Sequence, residues 1–270
     1  MTHGLGGVRH CWLPEFAERF QRAGDGLPRQ ESNPTLRQAD YYDAFNFAAS
    51  LQSVDDTRIV YWGTSFSGGN FLYAAAVDKR IKAAIAQCPA VSGETRSLAF
   101  KDRISSILKE RSRITAGLKP ERIPLIAESL EGAESGNTTA MFHGVHAFET
   151  VRGSYNCGGL WENSVTVQIR LNMLEFEGKG MLHRISPTPL LMVVPGNDVL
   201  VTTASQLAAY ENARKPKQLF YIDGAGHFDI YTGDWFEQNI KGQIEFVKEW
   251  LGSQDMTGAA ILVRLPDLVM

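Results

Sequence analysis

The stretch "RIVYWGTSFSGGNFLYAAAV", residues 58–77, constrains the fold more than any other. A short β-branched and aromatic run, 58–62, passes at once into small residues. The apolar "FLYAAAVDKR" (71–80) then reads as a helix. Strand, tight turn and helix in such close succession open a parallel βαβ unit. The rest of the chain repeats the alternation. "IKAAIAQCP" (81–89) reads as a buried strand, and "PLLMVVPGND" (189–198) as a strand ending in a turn. "TASQLAAYENARK" (203–215) reads as a helix with Leu207 and Tyr210 on one face, and "QLFYIDGAGH" (218–227) as a strand and a turn. "DWFEQNIKGQIEFVKEWL" (234–251) is a long helix whose Phe236, Ile240, Ile244, Val247 and Leu251 recur at helical spacing. The expected class is α/β, a mostly parallel sheet flanked by helices.

Residues 93 to about 180 break the rhythm. No core strand stands out there, and "SSILKERSRI" and "SVTVQIRLNMLEF" read as helices between polar and Gly-rich turns. The expected organisation is one domain over 1–270 with a helical cap inserted at about 93–180. Long insertions of this kind often build the substrate side of an α/β enzyme.

Composition removes several classes. Apolar residues make up 44% of the 270 residues, enough for a substantial core. A net charge of −3, without a Lys/Arg stripe, argues against nucleic acid as a partner. No apolar run reaches the ~18 residues of a membrane span. The opening "MTHGLGGVRH" lacks the apolar core of a secretory signal, so a cytoplasmic location is expected and the sequon at Asn137 is read as chance. The terminal "TGAAILVRLPDLVM" (257–270) carries no lipid-anchor signal. Cys11, Cys88 and Cys157 are odd in number and form no CxxC, which points to reduced thiols. With no HExxH or paired His/carboxylate motif, neither a metal nor another cofactor is expected.

The Gly/Ser turn holds two candidate nucleophiles. A G-x-S-x-G turn between strand and helix lifts a serine hydroxyl above the sheet, beside a helix N-terminus. Gly63-Thr64-Ser65-Phe66-Ser67 makes that serine Ser65; Ser65-Phe66-Ser67-Gly68-Gly69 makes it Ser67. A strand ending near Trp62 puts Ser65 at the apex and Ser67 inside the helix, which favours Ser65. An acid and a base follow in the order such enzymes use. Asp198 ends the strand "LLMVV", and His227, 29 residues on, ends the strand "LFYI". Ligand sites of open parallel sheets lie at these carboxyl ends. In that set His227 takes the Ser65 proton, and Asp198 fixes the imidazole tautomer and stabilises the imidazolium. Asp223 is close to His227 in sequence but points elsewhere. Asp229 and Tyr231 are placed to support the His loop. His143 and His146 of the cap, and His183, read as solvated or structural.

These residues resemble the α/β-hydrolase superfamily, and more narrowly the dienelactone-hydrolase-like group with fungal polyketide transferases and thiohydrolases. The resemblance rests on "HGLGG", "PEFAERFQRAG", "LPRQESNP", "YWGTSFSGGN", "HRISPTPLLMVV" and "GAGHFDIY". It implies an oxyanion hole formed by the N–H groups of Leu5 and Phe66. It also exposes departures. "HGLGG" begins at residue 3, and no strand-like run lies between Phe20 and Tyr41, where two helices flank about 16 residues without structure. A sheet truncated on its N-terminal side is therefore expected, with the nucleophile's strand as an edge open to pairing in a homodimer.

The expected function is a serine hydrolase or acyltransferase acting on an ester or thioester. The resemblance implies a polyketide-derived acyl chain, free or presented by a carrier protein. Met141, Phe142, Phe148 and Trp161 of the cap either line such a pocket or form ordinary cap core. The alternative is a catalytically impaired hydrolase scaffold that binds a partner. A nucleotide-binding α/β domain is disfavoured, because "IAQCPA" ends the second strand without the acidic residue such a site needs.

Overall fold

The computed structural model describes residues 31–52, 54–94, 103–154 and 162–252. In chain order the elements are α1 (Pro34–Ala49), β1 (Val60–Thr64), α2 (Ser65–Val77), β2 (Ala83–Gln87), α3 (Ile104–Thr115), β3 (Arg122–Ile123) and α4 (Leu130–Ser135). They continue with α5 (Val145–Ser154), β4 (Val165–Thr166), α6 (Gln168–Leu174), β5 (Leu190–Pro195), α7 (Thr203–Asn212), β6 (Lys217–Ile222) and α8 (Gly233–Leu251). Two compact units result. One joins Pro34–Ser92 to 177–252, and the other joins 31–33 to the described part of Gly93–Phe176.

The first unit is built on a parallel sheet in the order β1-β2-β5-β6. Every residue of β2 ("AAIAQ") and β5 ("LLMVVP") is buried, as in strands covered on both faces. Register and side-chain alternation assign the two faces. On one, Tyr61, Ala84, Ala86, Leu190, Met192 and Val194 pack with Phe71, Leu72 and Ala75 of α2 and with Tyr41 and Phe45 of α1. Gly63 lies on this face, and a Cβ there would come within 2.8 Å of Ser67 O and 2.9 Å of the Tyr41 hydroxyl. Glycine is therefore what lets both helices close on β1. The opposite face carries Trp62, Thr64, Gln87, Val193 and Phe220, and α8 covers it. A Cβ on Gly242 of α8 would meet the Phe220 ring at 2.6 Å.

α8 departs from its expected stripe. Its buried residues are Asn239, Gln243 and Phe246, while Phe236, Ile240, Ile244 and Val247 are half-buried beside them. Two amides can hold the inner positions because each is hydrogen-bonded there. Likewise α7 buries Gln206 with Ala209, and Leu207 and Tyr210 pack at the margin of the core.

In the second unit α3 runs over the residues expected to be helical and buries Ile107 and Glu110. The stretch 164–176 is not one helix. It begins as β4, which pairs antiparallel with β3, and becomes helical only from Gln168. The Asn163 amide pins the neighbouring turn, accepting from Leu125 N–H and Ile126 N–H and donating to Ile126 O. Among the described residues no helix is long and apolar enough to cross a membrane. Leu5 with the rest of "HGLGG", Cys11, Cys157, Trp161 and the tail 257–270 lie outside the described residues.

Candidate active site

β1 ends at Thr64, two residues beyond the expected end near Trp62, and α2 begins at once with Ser65. Pairing of Gly63 with Ala86 and of Thr64 with Gln87 carries the strand to the turn. Ser65 adopts φ 54°, in the left-handed region that side chains seldom occupy. Such strain costs about 1–3 kcal/mol and persists only where the surroundings enforce it. Here the Ser65 carbonyl accepts from Ala90 N–H at 2.9 Å, beyond the end of β2. Ser67 is buried in the first turn of α2, and its Oγ hydrogen-bonds the Tyr41 hydroxyl at 3.2 Å.

The loop after β5 delivers Asp198. Its Oδ1 accepts from Leu200 N–H at 2.9 Å and Val201 N–H at 2.8 Å, and Oδ2 accepts from Gln206 Nε2 at 3.0 Å. The loop after β6 delivers His227, with Nδ1 2.8 Å from Asp198 Oδ2 and Nε2 3.0 Å from Ser65 Oγ. The two loops are tied together, Asn197 N–H donating to Ala225 O at 2.8 Å and Asn197 Nδ2 to Gly224 O at 3.1 Å. Ser65, Asp198 and His227 are only 4–5% exposed.

The chain has relatives among known proteins. The acetyl xylan esterase family (AXE1) matches residues 38–108. The quorum-quenching protein AidA of Acinetobacter baumannii is 32% identical over 275 residues, covering 92% of this chain and 84% of that protein. The chain belongs to the α/β-hydrolase superfamily. The hydrolase is also 28% identical to the thiohydrolase aneE of Aspergillus aculeatus, over 94% of this chain and 86% of that one. The crystal structure of the α/β-hydrolase GrgF from Penicillium sp. superposes with a TM-score of 0.74 at 27% identity, over 93% and 89% of the two chains. The chain is thus an enzyme of the ester or thioester hydrolase and acyltransferase class.

The structure brings Ser65, Asp198 and His227 of the hydrolase into one hydrogen-bonded line, and it leaves Ser67 out of that line. Phe66 is buried directly after Ser65 in the first turn of α2, and Leu5 lies outside the described residues. Met141, Phe142 and Phe148 are buried in the second unit. Asp223 is exposed, as are His143, His146 and His183. Asp229 supports the His loop, its Oδ2 accepting from Gly226 N–H at 2.7 Å. Tyr231 hydrogen-bonds Thr64 and Cys88 beneath the turn. Burial pushes the Cys88 thiol up to about 12, helped by the Asp198 charge, and burial also raises the Tyr231 phenol well above its ordinary value.

Sequence reasoning missed four buried amides: Gln206, which donates to Asp198, and Gln87, Asn239 and Gln243 on the α8 face. One signal was present. Asn239 and Gln243 stand four apart, interleaved with Ile240 and Ile244 on the inner side of an apolar helix.

Proposed function

We propose that Ser65 is the nucleophile of a double-displacement acyl transfer, with His227 as general base and acid and Asp198 as its orienting carboxylate. The observation that carries the proposal is the unbroken line from Asp198 Oδ2 through both ring nitrogens of His227 to Ser65 Oγ, at 2.8 and 3.0 Å. Those separations lie within the reach that proton transfer needs.

The chemistry follows from the geometry. As Ser65 Oγ bonds to the carbonyl carbon, its proton passes to His227 Nε2. The imidazolium is held by Asp198, which stays ionised. Negative charge collects on the former carbonyl oxygen, and the N–H groups of Phe66 and Leu5 are its proposed donors. Losing one such donor typically costs about 10²–10³ in rate. The tetrahedral species collapses, the bond from carbon to the leaving sulfur or oxygen breaks, and His227 returns its proton to the departing group. A water, or the hydroxyl or thiol of an acceptor, then gives its proton to His227 and bonds to the acyl carbon; the bond from that carbon to Ser65 Oγ breaks, and His227 returns the proton to Oγ. Water yields the free acid; an acceptor yields a new ester or thioester.

The substrate class we propose is a polyketide-derived acyl thioester or ester. Support comes from relatives named as thiohydrolases and polyketide transferases, which align over most of this chain. A small-molecule thioester and an acyl group on a carrier protein present the same reacting carbon, and both fall within the proposal.

Treatment with a fluorophosphonate probe, followed by peptide mass spectrometry, tests it. The expected result is an adduct on Ser65 that disappears in His227→Ala. An adduct on Ser67 would move the nucleophile to the other frame. Folded protein that takes no adduct would refute the proposal in favour of a non-catalytic scaffold.

A further inference from the structure

The sheet order leaves a geometric problem. Ser65 follows β1 and His227 follows β6, with β2 and β5 between them. Small changes in sheet twist accumulate over three strand-to-strand steps. The Oγ–Nε2 separation is nevertheless 3.0 Å. Asp198 orients the imidazole from the His side, and its carboxylate hydrogen-bonds to Leu200, Val201, Gln206 and His227, all outside β1.

A buried network does cross that gap. Thr64, the residue before Ser65, shares a hydrogen bond with the hydroxyl of Tyr231, four residues after His227. Cys88 Sγ lies 3.3 Å from the Tyr231 hydroxyl and 3.5 Å from Thr64 Oγ1, closing a triangle. Gln87 Nε2 donates to Thr64 Oγ1 at 3.0 Å. Gln87 Oε1 accepts from Asn239 Nδ2 at 2.7 Å and Gln243 Nε2 at 2.8 Å. Asn239 Nδ2 also donates to Ile230 O at 3.1 Å, and Trp62 Nε1 donates to Gln243 Oε1 at 2.7 Å. Residues from β1, the end of β2, the His loop and α8 thus share one set of hydrogen bonds. Direction is constrained too. Thr64 Oγ1 accepts from the Gln87 amide, so its single proton goes on to Tyr231 or Cys88.

We propose that Thr64, Tyr231 and Gln87 are positioning residues that set the distance between nucleophile and base, and thereby the rate of acyl-enzyme formation rather than substrate binding. This rests on Ser65 and His227 having the roles proposed above. None of the three touches the reacting atoms. Their effect is mechanical: hydrogen bonds lose strength steeply with angle and distance, so the network admits one spacing of the two loops. A displacement of about 1 Å in such a site costs ~10²-fold in rate.

The experiment compares Thr64→Val, Thr64→Ser, Tyr231→Phe and the Thr64→Val/Tyr231→Phe double variant with the wild type. It measures kcat and KM on a nitrophenyl ester, the rate of fluorophosphonate labelling at Ser65, and thermal melting. Thr64→Val and Tyr231→Phe should each lower kcat and the labelling rate by about 10–10²-fold, with KM within about threefold of wild type. The double variant should fall little further than the weaker single variant, because both remove one tie. Thr64→Ser, which keeps the hydroxyl, should recover most of the rate. If Thr64→Val does not fold, Tyr231→Phe keeps its ring and carries the same readout. Variants that lower only the melting temperature, or a Thr64→Ser no faster than Thr64→Val, would overturn the network's role while Ser65 still labels in the wild type. A wild type that does not label overturns the serine assignment itself, and the positioning role with it.

Discussion

Helices α2 and α8 cover opposite faces of one four-stranded sheet, and they differ in what they bury there. α2 turns Phe71, Leu72, Ala74, Ala75 and Ala76 inward, whereas α8 turns in Asn239, Gln243 and Phe246. Apolar burial is non-directional and scales with area, so the α2 face stabilises the unit without singling out one spacing of its loops. The α8 face works through hydrogen bonds, which demand partners at set distances and angles. One face buries mainly apolar side chains, and the other joins Thr64, Gln87 and Ile230 of the His loop through hydrogen bonds.

The largest test of this contrast is Leu72→Ala. Leu72 is fully buried on the α2 face, so the change should cost about 2–5 kcal/mol in urea unfolding and leave turnover per folded molecule intact. Gln243→Leu should cost less, about 1–3 kcal/mol, because it orphans the Asn239 carbonyl, yet it should lower turnover as well. If the two variants affected turnover alike, measured per active site by probe titration, the contrast would break.

The smallest effect belongs to Asp78, a buried carboxylate at the end of α2. Burial alone would raise the pKa of Asp78, but hydrogen bonds from Arg80 and Tyr61 outweigh it and hold the carboxyl below its ordinary 3.8. A depressed folded pKa stabilises fully above the unfolded value, and that stabilisation is lost as pH falls through the folded one. Urea unfolding followed downward through pH ~4 should therefore show the wild type losing more stability than Asp78→Asn. Equal slopes would mean that Arg80 and Tyr61 contribute nothing to the ionised form.

The same contrast explains what the sequence could tell. The meeting of Ser65, Asp198 and His227 was legible because each sits at the carboxyl end of its own strand, where the signal is contiguous. The sheet's central strands were legible because unbroken apolar runs have few other uses. The amides were not. Asn239 and Gln87 meet across 152 residues and Gln243 and Gln87 across 156, and the helical spacing of Asn239 and Gln243 gives no sign of a partner that far away. The strand end at Thr64 was missed because Gly63 is a poor strand former, held extended by its pairing with Ala86. β3 and β4, of two residues each, are too short to leave a pattern.

Cys88 carries a last consequence. Its thiol is buried against Thr64 and Tyr231, with a pKa pushed up to about 12. Burial disfavours the thiolate, which is the form that reacts, and it also keeps reagents away. An electrophile therefore reaches Cys88 only when the contacts beneath the serine turn come apart. The residue is a built-in clock: its alkylation counts openings of the floor beneath Ser65 in a molecule that is otherwise folded.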